Sequence, residues 1–509
     1  MSIAVSASPL RLKLTVLGIV LLGLALRLWT VSTGLPFTPA IDEPVIMEKA
    51  LHMMKSGDFN PHFFDYGGLT IYLQMAVASV RFAEGALSRE WSGLDRVWEG
   101  DFYLWARMTS AILGSITVYL VYRAGRRWNV TVALIAAFLA AIHPNMVREA
   151  HFALTDTPLT LFCTLTLLLS LVASEDGRLR WFVLAGLTAG LATATKYNGA
   201  LALLMPICAA IASPAVPRRA ASAIVAVLGL AVGFLVAAPY SLLDLPHFLD
   251  GFASLAQHYN KSQSGMAGAT LYFKYLLLGF SFGSGWSAPF GWPALALFLT
   301  GVVTAIRQLG QPDRRAASLI LLVFPAVYFW LISAQSLIFA RYALPIVPMI
   351  CLAIGIGIVT AHDFLRANVA ALRTREVAVA LLVVVAIPPA FQSIRFDYTR
   401  LRAGTDDAVA RWLRRNVGPE DRIVGEVQAI RLPPDFHYEY QPRLTRESLD
   451  EYRARGVTYL VFDAGVLANP TSEAAVYRAL IASTETAKTV EAGTAYTGPP
   501  LTVLRIPKP

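Results

Sequence analysis

Residues 222–238 read SAIVAVLGLAVGFLVAA, a run without a charged side chain. LTVLGIVLLGLAL at 14–26 and VAVALLVVVAIPPA at 377–390 repeat the pattern far away in the chain. A helix that crosses a bilayer needs about 20 mostly apolar residues, and with their flanks these runs reach or approach that length. The 509-residue chain is 56% hydrophobic and only 15% charged, whereas soluble domains run about 45–50% apolar and about 25% charged. Folded as a soluble protein, it would leave apolar surface that nothing covers. The sequence specifies a polytopic helical membrane protein.

The net charge is +9, which in a soluble chain would raise the question of nucleic acid. Here the basic residues gather in short loops between apolar runs: Arg123, Arg126 and Arg127; Arg218 and Arg219; Arg307, Arg314 and Arg315; Arg366, Arg373 and Arg375. Such loops mark the cytoplasmic side, so the charge sets topology and no nucleic-acid partner is expected. Cys163, Cys208 and Cys351 lie in apolar segments without metal-ligand spacing and read as small core residues. Arg11 and Lys13 precede the first apolar run, which is long and lacks an A-x-A-like cleavage site. It reads as a first span rather than a signal peptide.

Working outward gives eleven spans: about 13–31, 101–122, 130–142 and 157–173; two short ones within 181–211, hinged at TKYNG; then about 221–239, 287–306, 316–333, 338–360 and 377–394. With the N-terminus inside, every basic loop falls on the cytoplasmic face. An acidic, aromatic first loop, about 32–100, then lies outside. From 397 onward charge rises; DDAVARWLRRNV reads as an amphipathic helix, and RIVGEV, VTYLVFD and LTVLRI read as strands. The expected architecture is a transmembrane domain over 1–396, its first outer loop carrying interfacial helices, and a small extracytoplasmic α/β domain over 397–509.

Five polar constellations interrupt the apolar pattern. In AIDEPVIMEKALHMMKSGDFNP, Asp42 and Glu43 open a helix whose apolar residues recur at helical spacing, as in a helix lying in the membrane interface. Capping of that helix is an equally good reading of Asp42 on spacing alone. FFDYGGLTIYLQ places Asp65 and Tyr66 before a glycine pair that would serve a turn. HPNMVREAHFALTD collects His143, Arg148, Glu149, His151 and Asp156 between two spans, where Asp156 would also serve as a helix cap. Lys196 in TATKYNGA and Arg341 in IFARYALPIVP stand at span ends, where snorkelling to headgroups is the bland alternative. Arg27, without polar company, reads as a snorkeller. Ionisable groups near a membrane interior are costly and usually functional, so several on one rim point to a site. P-loop, dinucleotide, H-E-x-x-H and G-x-S-x-G signatures are absent, as is an obvious inverted repeat of the transporter type.

The ordered set DEPVIMEKALHMMKSGDF, YGGLTIYLQMAVASVRFAEG, ARMTSAILGSITVYLVYRAGRRW, HPNMVREAHFALTDTPLTLF, TKYNG and ARYALPIVP resembles the GT-C class of membrane glycosyltransferases over about residues 12–360. The likeness is to the protein O-mannosyltransferase-like branch and the lipid A aminoarabinose transferases. It implies an inverting transferase that moves a sugar from a polyprenyl-phosphate donor to an extracytoplasmic glycan, lipid or protein acceptor, in a bacterial-type cytoplasmic membrane. By that resemblance Asp42 is the catalytic base, Glu43 its neighbour and Asp156 the second acidic residue. Lys196, Arg148, His151, Arg341, Tyr197 and Tyr66 form the expected donor-phosphate set. Asp65 is the candidate metal or substrate contact, although Gly67-Gly68 replaces the Pro-Pro pair of relatives; a divalent cation is the one cofactor admitted. Residues 241–285, rich in Tyr, His, Gln and Gly, are the expected acceptor wall. The reading requires Asp42 to share a cavity with the distant cations. Its rival is a lipid-linked sugar flippase or transporter that breaks no bond.

Overall fold

The computed structural model of the protein describes residues 8–40, 42–259, 265–278, 290–369, 375–468 and 471–507. In chain order the helices are α1 (Pro9–Leu28), α2 (Glu43–Ser56), α3 (Leu69–Leu87), α4 (Tyr103–Gly125), α5 (Val130–Ile142), α6 (Pro144–Glu149), α7 (Asp156–Asp176), α8 (Leu179–Thr195), α9 (Leu204–Ala212), α10 (Arg219–Ala237), α11 (Tyr240–Leu243), α12 (Leu245–Tyr259), α13 (Gly265–Phe273), α14 (Trp292–Gln308), α15 (Pro312–Ser333), α16 (Val347–Asn368), α17 (Arg375–Arg400), α18 (Thr405–Asn416), α19 (Leu449–Ala454) and α20 (Ser472–Ala482). Among the described residues, seven helical segments are long and apolar enough to cross a membrane, and α5, α8 and Tyr197–Ala212 are shorter apolar companions. The chain is a polytopic helical membrane protein. A helix stands at each expected span, although 279–289, including the start of the eighth, lies outside the described residues, as does Arg373.

The chain divides into two compact units. The first comprises Met1–Trp29, Ser56–Ala76 and Arg107–Phe396. Within it α8 and α10 lie backbone to backbone, because a Cβ on Gly186, Gly190, Gly229 or Gly233 would run into the partner helix's main chain. Lipid offers no hydrophobic drive for helix association, so small residues that permit close approach hold such pairs together.

Arg27 corrects the sequence reading. It is fully buried and does not snorkel. Its guanidinium donates to the carbonyls of Gly23 (2.8 Å), Ala141 (3.0 Å) and Ala140 (3.2 Å). The last carbonyls of a helix have no intrahelical donor, and Arg27 satisfies two of those that α5 leaves open before His143-Pro144. Sequence pattern cannot show that a cation will meet the end of another helix.

The second unit comprises Thr30–Lys55, Val77–Ala106 and Asp397–Pro509. Its strands are β1 (Ala403–Gly404), β2 (Arg422–Gly425), β3 (His437–Tyr440), β4 (Val457–Asp463), β5 (Glu485–Val490), β6 (Tyr496–Thr497) and β7 (Leu501–Arg505). Five of them form one sheet in the order β3-β2-β4-β7-β5, parallel across β3-β2-β4 and antiparallel thereafter. The expected strands became β2, β4 and β7, and the expected amphipathic helix became α18, whose Val409, Ala410 and Leu413 pack with Ile423, Val461 and Val503. Thr30–Lys55 and Val77–Ala106, assigned from sequence to the membrane domain, pack here with the C-terminal residues. Phe37 is the physical reason, since it joins that same apolar cluster.

Candidate active site

Three of the sequence candidates meet in the first unit. Lys196 Nζ lies 3.1 Å from Asp156 Oδ1, and Arg341 Nε lies 3.8 Å from Asp156 Oδ2. Local structure explains each placement. Asp156 is the first residue of α7, where the helix dipole favours a negative charge, and Thr155 occupies the cap position. Lys196 leaves the helix, with an extended backbone (φ −156°), where α8 gives way to a 3-10 turn over Tyr197–Leu203. The break expected at TKYNG is therefore present and falls at the lysine. Arg341 follows from a 3-10 segment, Ala340–Ile346, that leads into α16.

The surroundings keep water away from this ion cluster. The Asp156 side chain is 3% exposed, against 14% for Lys196 and 22% for Arg341. Lys196 Nζ also sits 4.2 Å from the ring centroid of Tyr342, close enough for a cation–π attraction. Glu149, at the end of α6, is buried beside Arg148, with 3.4 Å between Oε1 and Nη1. Burial pushes its carboxyl above the ordinary range; Arg148, Arg341 and Lys196 pull the other way, and Asp156 adds to the rise. Three cations and two carboxylates thus act on one another here.

Lys196 also lines a cavity of about 360 Å³, shared with Asp65, Tyr66, Tyr197, Asn198, Gln335 and Tyr342 on its polar side and with Phe252, Leu255, Ala256, Leu331 and Ala334 on its apolar side. Ligand pockets of about 300–1,000 Å³, mostly apolar with a few placed polar groups, are the common form. Phe252 comes from α12 and stands edge-on to Tyr197 at 5.3 Å. The rest of the expected acceptor wall at 260–264 and 279–285 lies outside the described residues. α15 lines a second, apolar cavity of about 350 Å³ through Leu321, Leu322, Pro325, Ala326 and Phe329. Leu331, two residues beyond Phe329, faces the first cavity.

The loop carrying Asp65 and Tyr66 is pinned to the α8 hinge from two sides. Tyr197 Oη donates to the carbonyls of Phe64 (2.8 Å) and Tyr66 (3.1 Å). Gly67 packs so closely that a Cβ would fall on the Ala194 carbonyl. Its glycine is needed for close approach, which the sequence alone could not distinguish from a turn. Gly67→Ala should therefore cost about 1–3 kcal/mol through overpacking against rigid main chain. Gly68→Ala should cost less, because the nearest atom there is the movable Tyr72 ring edge at 3.0 Å. Thermal unfolding of the two purified variants checks the difference, and equal stability would refute it.

The remaining candidates divide. The Tyr197 hydroxyl is committed to the loop carbonyls, so Tyr197 shapes the cavity rather than reaching a phosphate through that group. His151 is fully buried with Nδ1 2.9 Å from the Val147 carbonyl and Nε2 2.6 Å from that of Trp29. Its two ring nitrogens thus face backbone carbonyls, and His151 is not among the residues lining the cavity at Lys196. Asp42 and Glu43 belong to the second unit. Glu43 is buried and accepts from the Ala40 amide at 2.7 Å; half-buried Asp42 stands immediately before α2. Among the described residues, no group of three His, Cys, Asp or Glu side chains could hold a metal ion. Glu149 stood in the HPNMVREAHFALTD constellation without an assigned role, and Tyr342 entered the site without being selected from sequence; IFARYALPIVP contained Tyr342, but nothing in the string aims its ring at Lys196.

Residues 100–242 match the family described as Dolichyl-phosphate-mannose-protein mannosyltransferase. Among solved structures, ArnT from Cupriavidus metallidurans in the apo state superposes with a TM-score of 0.58 at 17% identity, covering 97% of each chain. ArnT bound to undecaprenyl phosphate gives 0.57 at 16% identity, over 98% of each chain. The Archaeoglobus fulgidus oligosaccharyltransferase AglB, in complex with an inhibitory peptide and a dolichol-phosphate, gives 0.54 at 14% identity, covering 90% of this chain and 69% of that one. No curated protein is significantly similar in sequence. The chain has the fold of these membrane glycosyltransferases, in agreement with the resemblance read from its motifs.

Proposed function

We propose that the protein is an inverting glycosyltransferase that moves a sugar from a polyprenyl-phosphate donor to an acceptor hydroxyl on the extracytoplasmic side of a bacterial-type cytoplasmic membrane. The observation that carries this reading is the pairing of Lys196 and Arg341 on Asp156, with Lys196 also lining a cavity of which one wall is apolar. A lipid phosphate needs fixed cations at its head and apolar walls at its chain. The cavity lined by Lys196 and the apolar cavity further along α15 supply surfaces of both kinds.

In the reaction, the acceptor oxygen attacks the anomeric carbon as the bond to the phosphate oxygen breaks. Asp42 takes the acceptor's proton, which turns a poor nucleophile into an effective one. The electron pair of the broken bond stays on the leaving phosphate, and Lys196 and Arg341, with Arg148, stabilise the added charge. Arginine meets phosphate through its fork of donors and lysine as a point charge. Asp156 holds both cations in place until the phosphate arrives.

The test uses the purified protein with a labelled polyprenyl-phosphate sugar and candidate acceptors. Release of polyprenyl phosphate supports the transferase; movement of intact lipid between leaflets without cleavage supports the flippase instead. In the same system Lys196→Ala should weaken donor binding about 10- to 100-fold, the equivalent of about 1.5–3 kcal/mol for a charged hydrogen bond. Unchanged donor affinity would reduce Lys196 to a partner of Asp156.

A further inference from the structure

We propose that the C-terminal sheet domain acts as a clamp that positions the segment bearing Asp42, an inference that rests on the reading of Asp42 as the base. The segment from Thr30 to Glu43 is fastened to C-terminal residues at successive points. Thr30 Oγ1 donates to Asp397 Oδ1 at 3.2 Å, and Thr33 Oγ1 donates to the Arg400 carbonyl at 3.0 Å. Arg411 Nη2 donates to the Leu35 carbonyl at 3.2 Å, and the Arg431 amide donates to the Phe37 carbonyl at 2.7 Å.

Phe37 is the anchor. Its ring packs against the cluster built from α18, β2, β4 and β7, and it stacks on Trp98 at 6.2 Å. The Arg411 guanidinium lies 5.9 Å over the same ring. A turn presents it: Gly34 has φ +79°, a backbone region that favours glycine, and its carbonyl accepts from the Thr38 amide at 2.6 Å. Three residues beyond Phe37, the Ala40 amide is held by Glu43 Oε2, and Asp42 falls inside that closed turn. The C-terminal domain therefore fixes both the start and the entry angle of the path that leads to Asp42.

Two of these bonds hold backbone carbonyls, of Leu35 and Phe37, and two hold the Thr30 and Thr33 hydroxyls, so the path of the chain is fixed by main chain and side chains together. Phe37 and Arg411 are positioning residues. A general base must be placed within a fraction of an ångström, and a misplacement of about 1 Å can cost about 10²-fold in rate.

The test compares the full-length protein with Phe37→Ala, Phe37→Tyr and Asp42→Asn in the donor assay, together with hydrogen exchange of the amides at 38–47. Phe37→Ala should lower kcat about tenfold or more, leave KM for the donor unchanged, and remove exchange protection from 38–47; Phe37→Tyr, which keeps the ring, should restore both kcat and protection. Wild-type kcat or unaltered protection in Phe37→Ala overturns the clamp, as does a parallel loss of donor binding. If Asp42→Asn turns over normally while Phe37→Ala still loses protection, the base assignment fails and the placement of the segment stands. Should Phe37→Ala not fold, Arg411→Met, which removes the bond to Leu35 and the cation over the ring, is read for the same split between kcat and KM.

Discussion

Asp42→Asn is expected to lower turnover by about 10²–10⁴-fold, the usual contribution of a positioned general base, while the protein inserts, folds and binds donor as before. Asparagine keeps the size and much of the hydrogen bonding of aspartate, so a cap role for this residue would survive the change with a loss of only a few tenths to about 1 kcal/mol in stability. The two roles therefore separate in one variant: a base loses rate at nearly unchanged stability, whereas a cap keeps the rate and nearly all of the stability. The neighbouring carboxylate already has structural work, because Glu43 is buried on the Ala40 amide. Product formation at saturating donor and acceptor is the measurement. A rate near that of wild type would remove Asp42 from the chemistry.

What the sequence revealed and what it hid follow from one distinction. Properties that repeat along the chain, such as apolar runs, basic loops and the break at TKYNG, are written locally, and so the membrane helices and the hinge at Lys196 were legible. Three separated polar residues, Asp156, Lys196 and Arg341, were legible as a set because charge is scarce beside apolar spans and must find partners. Contacts that depend on which element arrives opposite were not. Arg27 reads as a snorkeller until the end of α5 is placed against it. Gly67 reads as a turn until Ala194 is beneath it. In the C-terminal domain, β3 and β5 stayed hidden because HYEY and ETAKTV lie mostly exposed at the sheet edges, where no burial imposes an alternating pattern.

Asp156→Asn should show the opposite behaviour to a simple cap. The carboxylate is 3% exposed and faces both Lys196 and Arg341; neutralising it leaves two cations close together in a poorly hydrated place. Breaking a buried pair by removing one partner costs about 3–5 kcal/mol, and the lower end applies here because both cations retain some exposure. A cap would cost about 1 kcal/mol, and Thr155, not Asp156, holds the cap position. The unliganded variant should therefore unfold at a clearly lower temperature than wild type. Polyprenyl phosphate brings a negative charge to the same two cations, so it should restore stability by mass action, about 2.7 kcal/mol at a hundredfold excess over its Kd. Its stabilising shift should be larger in Asp156→Asn than in wild type, where the phosphate must compete with the aspartate. A thermal unfolding series with and without polyprenyl phosphate measures both shifts. An equal or smaller ligand shift in the variant would mean that the phosphate does not meet Lys196 and Arg341, and the donor site would have to be sought elsewhere in the protein.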